Sequence, residues 1–478
     1  PFARGGIAWC KRPVAVPKQR AARARGCPRE FGGSFARNEP RLSSRLLRWA
    51  DGASAEAGFL RKSVEWSGER LGFEPDAFVH ELVLGVLGVN YPMPVRMLGH
   101  VERIVQRYLD HVLSRDAPPA GRFELFATEG ATAGICYVFQ SLLDNGLLHR
   151  GDRVAIGVPA FTPYLEIPRL GAYRFEEVPI VAAERDEWQY PDAQIDKLAD
   201  PSVRAFFLIN PGNPTSVAIG PRTLERIAGL VRAQRPDLIV ISDDVYATYA
   251  EGYRSLAAAI PANTIAVYSF SKYFGCTGWR LGVIGIHEDN ILDRQLAQLP
   301  AGARQAARYR SVSVEPERLR FIDRLAADSR AVALNHTAGL STPQQVQMAL
   351  FAMQELVDKE SQYNRQARGL VMRRLGALYG ALGLEAPAGP LQAGYYATID
   401  LIELAGRLYG ADFARRLQRT VHPLDFVFQL AREYATVVLP GAGFDAPEWS
   451  VRISLANLPE DAYREIGTAM RAVLDEYR

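Results

Sequence analysis

At 478 residues, with 48% apolar and 23% charged residues and a formal net charge of +3, the chain reads as a folded globular protein of two or three lobes. Near-balanced charge gives no general case for binding nucleic acid or a membrane surface, and no apolar run reaches the ~18–20 residues that a membrane helix needs. Four cysteines without a Cys-x-x-Cys pair and seven scattered histidines argue for free thiols in a reducing compartment and against a metal site.

Residues 1–29 carry eight Lys or Arg, no acidic residue and no helical periodicity. That composition predicts a poorly defined N-terminal segment, reaching to about residue 40. Helical spacing follows from Leu42 to Leu71, and Leu82–Leu87 is a short apolar piece. Asn90-Tyr91-Pro92-Met93-Pro94 then breaks the chain before a predicted helix, Met97 to Val112, whose Met97, Val101, Ile104, Val105 and Leu109 share one face. The strand-like Phe123–Thr128 runs into the small-residue turn Gly130-Ala131-Thr132 and a helix from about Ala133 to Leu143. Small residues at a helix start leave N–H groups bare and aligned with the helix dipole, which suits a phosphate.

Beyond that helix, the apolar runs Val154–Val158, Ala205–Ile209, Leu238–Ile241, Ile265–Phe270 and Leu281–Ile286 alternate with helical segments. The alternation predicts a largely parallel, buried sheet, with ligands beyond the C-terminal ends of its strands. Polar residues cluster there, after Val158, Ile209, Ile241 and Phe270. Residues 290–345 are richer in Arg and Gln and less regular. Helices are predicted from Thr342 to Leu356 and from Asn364 to Leu382, leading to a second lobe. That lobe holds Tyr395–Leu401, a helix near Ala411–Leu417 and the strand Val451–Leu455.

The chemistry gathers around Lys272, which follows an apolar strand and can have its pKa lowered there, so that its amine can form a Schiff base. Ser269, Ser271 and Arg280 are donors suited to a dianionic phosphate. Together they read as the aldehyde-and-phosphate site of pyridoxal 5'-phosphate (PLP). Such a cofactor needs a carboxylate against its pyridine nitrogen, which Asp243 in Ser242-Asp243-Asp244-Val245-Tyr246 provides. It also needs donors at its phenolic oxygen. Asn213, in Asn210-Pro211-Gly212-Asn213-Pro214-Thr215, and Tyr246 fit that task. Each piece alone has an ordinary alternative: a lysine at a strand end, a solvated Asp-Asp loop, a plain Asn-Pro turn. In this order they point to one site.

Over about residues 85–460 these motifs resemble the fold-type-I PLP enzymes of the class I/II aminotransferase superfamily. The resemblance implies an α/β fold with a large domain built on a mostly parallel sheet and a smaller α/β domain. Residues 41–120 would form the N-terminal part of the small domain and linking helices. Residues 121–360 would be the PLP-binding domain, with a family insertion at about 290–340, and 361–478 the C-terminal small domain. Lys272 would be the Schiff-base lysine and proton shuttle, with Asp243 on the pyridine nitrogen and Asn213 and Tyr246 on the phenolic oxygen. Ala131, Thr132, Ser269 and Arg280 would hold the phosphate, Phe161 would stack on the ring, and Arg452 would clamp the substrate α-carboxylate. Tyr91 would reach a neighbouring subunit's phosphate.

The stretches Trp188–Asp192, Ser271–Gly282, Ala333–Gln344 and Gly443–Arg452 further resemble the aspartate 4-decarboxylase group. That likeness implies conversion of L-aspartate to L-alanine and CO2, with aspartate aminotransferase side activity on 2-oxo acids. It also implies a cytoplasmic homo-oligomer, at least a dimer, while composition and spacing already argue against metal, nucleic acid or membrane partners. The alternative is an aminotransferase without decarboxylase activity. One departure stands out: the family's Arg-Gly-Asn-Pro element is matched only by Arg25-Gly26-Cys27-Pro28, which makes Arg25 the expected N-terminal substrate arginine.

Overall fold

Five neighbouring strands in the central sheet run parallel, and four of them are apolar runs of the sequence. β2 (Arg153–Val158), β4 (Val203–Ile209), β5 (Ile239–Asp243) and β6 (Thr264–Ser269) are buried along nearly their whole length. With β1 (Phe123–Thr128), β3 (Glu176–Val181) and β7 (Gly282–His287) they form a seven-stranded sheet in the order β1-β7-β6-β5-β4-β2-β3. Only β7 is reversed, pairing antiparallel with both β6 and β1. Helices cover both faces, so the strands need no polar side, which is why they read as continuous apolar runs.

This computed structural model describes residues 55–92, 95–115, 117–300, 306–330 and 339–478. The chain divides into two compact units, Pro1–Arg61 and Lys62–Arg478. Of the first, the described part is the opening of the helix Ala55–Leu71. Arg25 and the segment expected to be poorly defined lie outside the described residues. Within the second unit, Leu82–Leu87 belongs to a helix, Pro75–Leu87. Glu74 caps its start by accepting from the Asp76 and Ala77 N–H groups, and Gly88 closes it at φ 66°. The helix Gly99–Ser114 buries Val101, Ile104, Val105, Tyr108, Leu109 and Val112, the stripe expected of a 3.6-residue repeat.

β3 was not among the predicted strands. It is an edge strand that alternates exposed and buried residues and carries Pro179, so its apolar signal is half that of a central strand. The Arg-rich stretch after β7 is partly helical, with Ile291–Gln298 and Phe321–Asp328. It is tied to the body of the fold by a buried polar cluster. There the Asp328 carboxylate accepts from Ser141 at 2.6 Å and Tyr309 at 2.9 Å, and Arg324 donates to Asn145 at 3.0 Å.

A second, three-stranded antiparallel sheet joins β8 (Tyr396–Asp400), β10 (Ser450–Ser454) and β9 (Leu439–Pro440) in the order β8-β10-β9. It shares a core of its own with the helices Gln362–Leu382 and Glu460–Glu476, through Leu375, Leu378, Ile399, Val451, Met470 and Val473. Each such side chain contributes about 1.5–3 kcal/mol by leaving water. The turn after β4 fastens this sheet to the large one. The Ser216 hydroxyl accepts from the Tyr396 N–H at 2.8 Å, its carbonyl accepts from the Ala393 N–H at 2.8 Å, and Thr398 donates to the Pro214 carbonyl at 2.9 Å. Ser216 holds φ at 60°, a left-handed conformation that glycine adopts more readily.

Gly282 fixes the contact between the two ends of the sheet that matter most for the site. It pairs with Ser269 on one side and Thr128 on the other. A Cβ there would lie 2.5 Å from the Gly130 carbonyl carbon, which no real side chain tolerates. Gly282→Ala is therefore expected to destabilise the protein by about 1–3 kcal/mol, as overpacking does, and to loosen the PLP expected from the sequence. Urea denaturation and dialysis of the loaded protein measure the two effects.

Candidate active site

The C-terminal ends of β4, β5 and β6 open into a cleft of about 280 Å³, roofed by the small sheet. Asp243 is the last residue of β5, Ser269 the last of β6, and Lys272 stands three residues beyond it. Ala131 and Thr132 open the helix Ala131–Asp144, and Phe161 precedes the short helix after β2. Asn213 and Tyr246 come from the turns after β4 and β5, and Arg452 projects from the middle of β10. All of these, with Arg280, line the one cleft. Strand polarity brings them together: each parallel strand delivers its trailing loop to the same edge.

Asp243 is fully buried, and that burial pushes its carboxyl up to about 6. The Tyr164 hydroxyl, the Val245 N–H and the Lys272 ammonium pull against the rise without cancelling it. A buried carboxyl so placed gains most from a cationic N–H donor, which is what a protonated pyridine offers. Burial also lowers the Lys272 amine, and the Arg452 and Arg280 guanidiniums lower it further against the opposing pull of Asp243. The neighbouring Asp244, one residue past the end of β5, does not line the cleft. It accepts from Ser242 at 2.6 Å, from Ser255 at 2.9 Å and from Tyr253, and burial carries it to about 7. Its task is to hold the loop.

Opposite Lys272 lies a cradle for a dianion. The helix Ala131–Asp144 has no side-chain cap at Gly130, so its first N–H groups are uncommitted. Gly130 sits at φ 97°, and a Cβ on it would strike the Arg280 guanidinium. The guanidinium thus lies against bare backbone at the helix start. Ser269 donates to Ser271 or to the Leu281 carbonyl, at 3.0 Å each, which leaves hydroxyl capacity facing the cleft. Arg280 itself is held by the Thr277 carbonyl at 3.0 Å.

The Arg452 guanidinium lies over two rings, 4.4 Å from the centre of Tyr396 and 4.6 Å from that of Phe444. Its Nη1 donates to Asn213 Oδ1 at 3.0 Å, and its buried Nε has no hydrogen-bond partner among the described residues. An unpaired buried donor costs about 1–3 kcal/mol. An incoming carboxylate would remove that cost. The residues present therefore fit PLP and an amino-acid substrate: a carboxyl for the ring nitrogen, an amine of lowered pKa, a cradle for phosphate and a guanidinium for a carboxylate.

Two sequence-predicted residues are not in the cleft. Tyr91 is 80% exposed and borders a separate hollow with His80, Glu81, Leu98 and His100. Arg25 falls outside the described residues. Conversely, sequence reasoning missed Tyr164, whose hydroxyl meets Asp243, and Tyr396, whose hydroxyl lies 2.8 Å from that of Tyr246. Tyr164 stands three residues after Phe161 in a short helix with Pro163 as its second residue, a signal that was legible. The doublet Tyr395-Tyr396 gave no hint of which ring faces the cleft.

A family model for aminotransferase class I and II matches residues 124–469. The chain belongs to this family. A bifunctional aspartate aminotransferase and L-aspartate beta-decarboxylase of a Pseudomonas species is 50% identical over 420 residues, covering 87% of this chain and 79% of that protein. An aspartate aminotransferase of Pyrococcus horikoshii is 32% identical over 33% of this chain and 39% of its own. Among solved structures, an aspartate aminotransferase of Rhodobacter sphaeroides superposes with a TM-score of 0.61 at 20% identity, over 84% of this chain and 89% of that one. One of Thermus thermophilus with maleate gives 0.58 at 18% identity, over 82% and 88%. The fold-type-I architecture expected from sequence is the one observed, and PLP is the cofactor of the family.

The two raised carboxyls give this protein a defined pH response when free of cofactor. Both take up protons on folding, because their folded pKa values lie above the ordinary value of 3.8. Their contribution to stability is fully present below that value and is lost as pH rises through about 6 and 7. Between pH 5 and 8, the urea midpoint of cofactor-free protein is expected to fall more steeply than that of Asp244→Asn.

Proposed function

We propose that this chain is a PLP-dependent enzyme that converts L-aspartate to L-alanine and CO2, with aspartate aminotransferase activity on 2-oxo acids as a side reaction. The observation that carries the reading is the convergence of Lys272, Asp243, the phosphate cradle and Arg452 on one cleft. Its chemistry is narrowed by the 50% identity to the bifunctional Pseudomonas protein. When bound, PLP supplies an electron sink conjugated with the substrate's Cα.

The chain's own residues do the rest. Asp243 keeps the ring nitrogen protonated. Asn213 and Tyr246 stand at the phenolic oxygen, and Ala131, Thr132, Ser269 and Arg280 hold the phosphate beside Phe161. Arg452 grips the α-carboxylate through its Nε–Nη2 edge, since Nη1 is committed to Asn213. That grip turns Cα–H toward Lys272, whose neutral amine removes the proton and returns it later. Among the described residues lining the cleft, the cations are Lys272, Arg280 and Arg452. With Arg280 on phosphate and Arg452 on the α-carboxylate, the expected N-terminal arginine Arg25 would be left to meet the side-chain carboxylate, and CO2 loss requires that this pairing stay loose enough not to stabilise the charge that has to leave.

The same reading makes the protein at least a homodimer and a member of a larger assembly, with Tyr91 reaching the phosphate of the partner subunit. Its support is the run of exposed apolar side chains Val83, Val86, Leu87, Val89 and Tyr91, the kind of surface that marks an interaction site. The expected division at 360/361 is supported by the two separate sheets, which fall on either side of it. A cytoplasmic home is supported by the free thiols of Cys136 and Cys276. Among the described residues no helix is long and apolar enough to cross a membrane.

Loaded with PLP and given L-aspartate without any 2-oxo acid, the protein is expected to release alanine and CO2 in equal amounts. If no alanine forms, the decarboxylase reading fails, and glutamate produced on adding 2-oxoglutarate would leave a plain aminotransferase. Lys272→Ala is expected to lose the visible absorbance of the loaded enzyme and about 10²–10⁴-fold in turnover. Sedimentation at micromolar concentration is expected to give two or more chains per particle; a monomer that holds PLP and turns over would remove the role given to Tyr91.

A further inference from the structure

We infer that Tyr396 is a positioning residue: its hydroxyl donates to Tyr246, turns the Tyr246 proton toward the cofactor's phenolic oxygen, and couples that donor to the substrate clamp Arg452. The inference rests on the PLP reading above and adds a residue that the cleft's other members do not replace.

The two hydroxyls lie 2.8 Å apart and are buried, so one of them must donate to the other. Arg452 decides which. Its guanidinium lies 4.4 Å over the Tyr396 ring, and this positive charge makes the Tyr396 hydroxyl the more acidic of the pair. No guanidinium lies over the Tyr246 ring among the described residues; burial first, and then the Tyr396 phenol, Tyr395 and Asp243 beside it, hold the Tyr246 proton more firmly. Tyr396 is therefore the donor and Tyr246 the acceptor. The Tyr246 oxygen, with Asn213 Nδ2 at 3.5 Å on another side, keeps its own proton for the cleft. A hydroxyl that accepts one hydrogen bond donates the next more strongly.

The contacts close into a ring: Arg452 to Asn213, Asn213 to Tyr246, Tyr246 to Tyr396, and the Tyr396 face back to Arg452. The charged and titratable groups facing the pair are Arg452 from β10, Asp243 from β5 and Tyr395 beside β8, with Lys272 in the same cleft beyond β6. Tyr396 is itself held by the Ser216 hydroxyl at its N–H, so its ring has little freedom to leave.

Tyr396→Phe tests this, because it keeps the ring under Arg452 and removes only the hydroxyl. A donor at the phenolic oxygen draws charge away from the nitrogen that joins Lys272 to the cofactor and makes that nitrogen less basic. Weakening the donor raises the pH midpoint of the visible band of the PLP-loaded protein, by about 0.5–1 unit for one hydroxyl hydrogen bond. Turnover is expected to fall while KM for aspartate stays within about twofold, whereas Tyr396→Leu, which also removes the ring, raises KM by about tenfold. In a Tyr246→Phe background, adding Tyr396→Phe is expected to move the midpoint no further. An unchanged midpoint in Tyr396→Phe, or an equal further shift in the double variant, overturns the inference. A wild type without the visible band overturns it together with the PLP reading. A wild type with the band but no alanine overturns the decarboxylase reading alone.

Discussion

A carboxyl at the end of a fully buried strand is the constraint around which this protein is arranged. Asp243 cannot be solvated where it stands, and the hydroxyl, N–H and ammonium groups around it leave its affinity for protons above the ordinary range. The parallel sheet creates this situation, since only its C-terminal edge gives a strand end that is both enclosed and open to a ligand. Lys272 meets the mirror-image problem at the end of the next strand, as a cation in a half-enclosed place between two guanidiniums. A cofactor that brings a cationic ring nitrogen to the first and an aldehyde to the second relieves both at once. The site is unsatisfied in a specific way, and that pattern of need identifies what it takes.

Much of this was legible in the sequence because the groups concerned sit directly after strands that read as unbroken apolar runs. Lys272, Asp243, Asn213 and Tyr246 each follow such a run by a few residues, so their common edge followed from strand polarity alone. The helix at Ala131 was expected two residues later than it begins, since Gly130 at φ 97° permits an abrupt start that propensity does not reveal. β3 escaped notice because an edge strand alternates its character and tolerates Pro179. The exposed Tyr91 shows a different limit: a residue whose partner is expected on another chain leaves no mark on its own.

The roof of the site was harder to read. Arg452 stood out as an arginine in a strand, but the two rings it lies over, Tyr396 and Phe444, come from segments 56 and 8 residues earlier in the chain. Nothing in either local pattern says that a guanidinium will lie over them. Such packing is set by the pairing of β8 with β10 and by the turn before β10. The relation is tertiary, and a single sequence records it only in the composition of the contact.

Ser216 gives the two sheets a mechanical relation that the rest of the fold leaves open. A glycine would occupy φ 60° without the roughly 1–2 kcal/mol that a side chain adds there, but it would carry no oxygen for the Tyr396 N–H. The serine accepts local strain and in return holds the first residue of β8 by its backbone. Any swing of the small sheet away from the large one must therefore break a side-chain latch as well as the Ala393 and Thr398 hydrogen bonds. Because the latched residue also lies against Arg452, opening the roof and loosening the clamp become a single motion with a single barrier.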